Sequence, residues 1–107
     1  MSFNNSLVPD ELLQQLVDKY GVEEQLLQTS GECGELVAII QNYLRAVKYG
    51  HRTETLADVV EEAVDVFFMC QQIRFLDRQL FDSIAHSKQT KIYRKIDNEH
   101  VKKEEKS

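Results

Sequence analysis

Residues Thr29 to Val47 read TSGECGELVAIIQNYLRAV, and the fold turns on how this stretch is read. Glu32 and Glu35 stand three residues apart, and a second pair, Glu62 and Asp65, has the same spacing farther along the chain. Residues at i and i+3 share one face of a helix, so each pair can be aimed at a single place. At roughly 100° per residue, Leu26, Cys33, Leu36, Val37, Ile40, Tyr43, Leu44 and Val47 make one apolar stripe. Glu32 falls inside the edge of that stripe, between Leu36 and Ile39, and Glu35 lies just beyond it. In the later segment Leu56, Val59, Val60, Ala63, Val66, Phe67, Cys70 and Ile73 form the stripe, with Glu62 inside it and Asp65 at its margin.

A half-buried carboxylate is costly unless it is paired, protonated or bound to a metal. No Lys or Arg occurs from Gly21 to Leu44, nor from Thr53 to Ile73. Ion-pair partners must therefore come from elsewhere in the fold. A divalent cation is the simpler counter-charge, and hard carboxylate ligands suit Mg²⁺ or Mn²⁺.

The rest of the chain sets the frame. Its 107 residues allow one modest core. A hydrophobic content of 42% and a charged content of 29% are those of a soluble globular protein. The net charge of −5 argues against nucleic acid as a main partner. Cys33 and Cys70, both on apolar helical faces, read as reduced core residues of a cytoplasmic protein. Nothing reads as a signal peptide or as a run long enough to span a membrane.

Long helical periods, one proline and four glycines predict an all-α fold, an antiparallel bundle of about four helices. Pro9 should open the first helix, with Asp10 and Glu11 in its first turn and Gly21 closing it. The second should run from Val22 to about Lys48. Gly31 and Gly34 weaken it, which suggests close approach of a ligand or of a neighbouring helix there. Tyr49 to Arg52 should turn the chain, and Thr53 or Thr55 should cap the third helix. Folding at that turn lays Glu32 roughly opposite Asp65, and Glu35 roughly opposite Glu62. Val64, Phe68 and Phe75 give the third helix a second apolar face, so subunits should associate as a homodimer or homotetramer. A fourth helix should carry Phe81, Ile84, Ala85, Ile92 and Ile96. Residues 1–97 then form a single domain and 98–107 a charged, disordered tail.

The segments Glu32-Cys33-Gly34-Glu35-Leu36 and Glu61-Glu62-Ala63-Val64-Asp65-Val66 together resemble the MazG-like, all-α nucleoside triphosphate pyrophosphohydrolases. The resemblance covers about Leu26 to Gln72 and is looser at the flanks. It implies Mg²⁺-dependent hydrolysis of a nucleoside triphosphate to the monophosphate and pyrophosphate. Glu32, Glu35, Glu62 and Asp65 would be the metal ligands and carry the catalysis. Triphosphate and carboxylates are all anionic, so cations must stand between them. The chain departs from the family at Gly31, where an acid often stands. Basic residues that meet phosphates near the family's C-terminal end have their candidates here in Lys88, Lys91 and Arg94, set against a plain solvated basic face. The related phosphoribosyl-ATP pyrophosphohydrolases are a further alternative.

Blander readings stand beside these. The acids can form a surface ridge with no ligand. A di-iron bundle is disfavoured, because neither pair has His at the third position. The alternative from another class is a non-catalytic helical oligomer whose acids hold a structural cation or a basic partner.

Overall fold

Pro9 starts the first helix from outside it. Its ring holds φ at −64°, its ψ of 144° is extended, and its carbonyl accepts hydrogen bonds from the Leu12 and Leu13 amides at 3.1 and 3.2 Å. It is thus the N-cap rather than the first helical residue. The computed structural model describes residues 8–50 and 54–106, and among these there are three helices: α1 (Asp10–Tyr49), α2 (Leu56–Leu76) and α3 (Arg78–Lys106).

The expectation of about four helices is corrected to three, and Gly21 is the reason. Its φ of 78° and ψ of 165° belong to a region open essentially to glycine alone. Gly21 interrupts the helical backbone as expected, but the next helical segment starts at once after it, so the two segments run on as one kinked element, α1. Gly50 does end it: with φ 70° and ψ 16° it takes the left-handed C-cap, and its amide donates to the Ala46 carbonyl at 2.8 Å. Thr55 then opens α2 through a reciprocal cap. The Asp58 amide donates to Thr55 Oγ1 at 3.4 Å, and Asp58 Oδ2 accepts from the Thr55 amide at 2.8 Å. His51, Arg52 and the alternative cap Thr53 lie outside the described residues.

α1 and α2 pack against each other. Their contacting residues rise in number on one helix as they fall on the other, so the pair is antiparallel. On α1 the buried and half-buried positions include Gln25, Thr29, Glu32, Leu36, Ile39, Tyr43 and Ala46. Steps of four and three alternate along this list, which is the seam spacing of a coiled coil. On α2, Val59, Glu62, Val66, Met69 and Ile73 repeat the pattern.

This seam corrects the predicted α1 stripe. Leu26, Val37, Ile40, Leu44 and Val47 are exposed, at 47%, 56%, 37%, 58% and 66%. α1 is apolar on more than one face, and the face turned to α2 is a neighbouring one that also carries Gln25 and Thr29. Val60 and Val64 of α2 are likewise exposed. Cys33, expected in the core, is exposed, whereas Cys70 is half-buried; both thiols are free.

The chain divides into two compact units, residues 1–76 and 77–107, where the sequence suggests one domain over 1–97. The second unit is α3. Asp77 caps it, accepting from the Leu80 amide at 3.0 Å through Oδ1 and from the Phe81 amide at 3.0 Å through its carbonyl. Helical structure continues to Lys106, across the stretch from Asn98 expected as a tail. Among the described residues no helix is long and apolar enough to cross a membrane.

Candidate functional site

The seam brings three carboxylates together. Glu32 and Glu35 from α1 and Glu62 from α2 each place an oxygen within 4.8 Å of the others. Helical spacing supplies the first two, one turn apart on one side of α1. The antiparallel packing of α2 supplies the third. Glu32 and Glu62 are half-buried on the seam, and Glu35 is exposed at its edge. Among the described residues this is the one group of three or more acidic, His or Cys side chains gathered so closely.

Asp65 is not part of this group. It lies one turn from Glu62 on α2, where its side chain is exposed. Lys88, Lys91 and Arg94 are exposed on α3, in the second unit. His86 and His100 are exposed on the same helix.

The electrostatics of the cluster are unusual for neutral pH. Glu32 Oε2 and Glu62 Oε1 are both buried, and neither has a hydrogen-bond partner among the described residues. Carboxylates crowded together without donors can share a proton or share a cation. In the protein alone Glu62 keeps its proton well above the usual carboxylate range. A side-chain hydrogen bond with Glu32, then burial, then the hydrogen bond and charge of Glu35 push its carboxyl from 4.5 to about 7. The donor set also fits a hard divalent cation, since it offers carboxylate oxygens alone, two of them buried and unpartnered. Gly31 and Gly34 flank Glu32, and a Cβ built at either meets nothing within 4 Å. Packing of α2 therefore does not explain these two glycines, and the space beside each of them is open.

Away from the acids, burial raises the Cys70 thiol, and the Cys33 thiol adds to the effect. The larger surprise is Gln25 and Gln72, two of the most buried side chains, at 3% and 5% exposure. A search by apolar character passes over both. The alternation of four and three through Glu32 is the sequence signal that reaches Gln25.

Compared with known proteins, the chain matches no family model, no curated protein and no solved structure.

Proposed function

We propose that this protein is a MazG-like nucleoside triphosphate pyrophosphohydrolase that releases the monophosphate and pyrophosphate. The observation that carries the reading is the pair of buried, unpartnered oxygens, Glu32 Oε2 and Glu62 Oε1, inside a group of three carboxylates. Glu32, Glu35 and Glu62 would hold Mg²⁺ or Mn²⁺, with Asp65 as a fourth, outlying carboxylate. Bound there, such an ion would offset the charge of a triphosphate, polarise its phosphoryl oxygens and lower the pKa of an attacking water.

The chain's own residues supply the rest. α1 and α2 fix the carboxylates in place before any ligand arrives. Glu62 is part-protonated near neutrality and would give up that proton to a bound cation. The open space beside Gly31 and Gly34 leaves room for substrate to approach the α1 backbone.

Association into a homodimer or homotetramer belongs to the same reading. Among the described residues Val8 and Leu13 are the buried apolar side chains, whereas twenty large apolar side chains are exposed. A chain with so little core of its own gains most by burying those faces against another copy. The same exposed faces favour a second reading, a non-catalytic helical oligomer whose acids hold a structural cation. A panel of nucleoside triphosphates with Mg²⁺, scored for monophosphate and pyrophosphate, separates the two. Turnover of any member supports the enzyme, and none across the panel leaves the oligomer.

A further inference from the structure

Gln25 Nε2 donates to Gln72 Oε1 at 2.7 Å across the α1–α2 seam, and this is a buried contact. The pair is poorly served otherwise. Among the described residues Gln25 Oε1 is buried without a partner, and Gln72 Nε2 reaches only Met69 Sδ, at 4.0 Å. Two apolar side chains would fill such a position at less cost, because buried amides with unmet hydrogen bonds lose their hydration for little return. A buried polar pair in a helical seam has a different use. It tolerates one alignment of the helices and penalises the rest, as a single buried Asn does in a coiled coil.

The numbering ties this contact to the acids. Glu35 lies ten residues on from Gln25, and Glu62 ten residues back from Gln72, so both cross-helix pairs belong to one antiparallel register. Between them the α2 side of the seam is made of Val66 and Met69, half-buried apolar side chains whose contacts are non-directional, and the α1 side of Thr29, whose hydroxyl is turned back on the Gln25 carbonyl of its own helix at 2.8 Å. Such contacts tolerate a slip of one turn. The amide hydrogen bond does not.

We infer that the Gln25–Gln72 amide pair sets the register of α1 on α2 and so positions Glu32, Glu35 and Glu62 as one cluster. These glutamines are positioning residues, acting on the acids through the helices. The inference deepens the proposed function and rests on it for its purpose, but register can be measured whether or not the cluster binds a cation.

The test uses the full chain with Cys33→Ala and Cys70→Ala. Spin labels are attached at Glu24→Cys and Ala57→Cys, both exposed positions, and the labelled chain is diluted with unlabelled chain so that distances within one chain are read. The parent should give one narrow distance. With Gln25→Leu and Gln72→Leu together, the helix content and Tm should hold, while a second distance appears about one turn, ~5 Å, away. Mn²⁺ binding is followed in parallel and should weaken with the slip. If the parent binds no Mn²⁺, the cation reading fails while the distance result still judges the register. A single unchanged distance in the double-leucine chain overturns the inference. So does loss of folding, which would make the pair an ordinary stabilising contact.

Discussion

Cation binding at the acidic cluster should depend on pH in a range where ordinary carboxylates are silent. Glu62 is pushed from 4.5 to about 7, mainly by its hydrogen bond with Glu32 and by burial. A cation at this cluster must displace that proton. Lowering the pH from 7 to 5.5 cuts the deprotonated fraction of such a group about 16-fold, whereas a carboxyl at 4.5 loses only about a tenth of its own. Apparent Mn²⁺ affinity should therefore fall by roughly an order of magnitude across that interval, and release of close to half a proton per Mn²⁺ should accompany binding at pH 7. Titration calorimetry in buffers of different ionisation enthalpy reads both quantities. Stability gives an independent check with a definite sign. The folded chain binds the Glu62 proton more tightly than the unfolded chain, so this contribution is full below 4.5 and is lost as pH rises through about 7. The Tm of the ion-free protein should carry a falling component there, absent from Glu62→Gln. Affinity that is flat from pH 7 to 5.5, or an unchanged slope in Glu62→Gln, would refute the shared-proton account of the cluster.

Replacing Glu62 by Gln should lower pyrophosphate release by about 10²–10³-fold, the scale of losing one electrostatic stabiliser, with Glu24→Gln as a near-silent control and unchanged turnover the contrary result. The two kinds of glycine in α1 should respond in opposite directions in thermal melts. Gly21→Ala forces a side chain into its φ of 78° and should cost about 1–3 kcal/mol, while Gly34→Ala meets nothing within 4 Å and should stabilise the helix by about 1 kcal/mol. Light scattering at tens of micromolar should give the mass of a dimer or tetramer; a monomer would contradict association through the exposed apolar faces.

Local chemistry was legible in the chain from the start. The spacing of Glu32 and Glu35 places both on one side of α1 whatever α1 packs against, because helical periodicity alone decides it. Gly50 at the turn and Thr55, one of the two threonines able to cap α2, are likewise matters of a few neighbouring residues. Gly21 shows the limit of such signals: it breaks the helical backbone as a local signal says, but that signal does not say that the next helical segment follows with no loop between. Rotation and register about the helix axes belong to the tertiary structure. α1 has two apolar faces, and periodicity cannot say which one meets α2, so the stripe through Val37 and Leu44 was the natural reading although it is exposed. The chosen face contains Gln25 and Thr29, whose polarity hides them from any reading based on apolar spacing. The same choice sorts the acids. Glu62 lies on the α2 seam and joins Glu32 and Glu35, while Asp65, one turn along, is left exposed at its margin. A rotation of α2 too small to alter its helical pattern would reverse that outcome, so only the packing of the two helices decides which carboxylates meet.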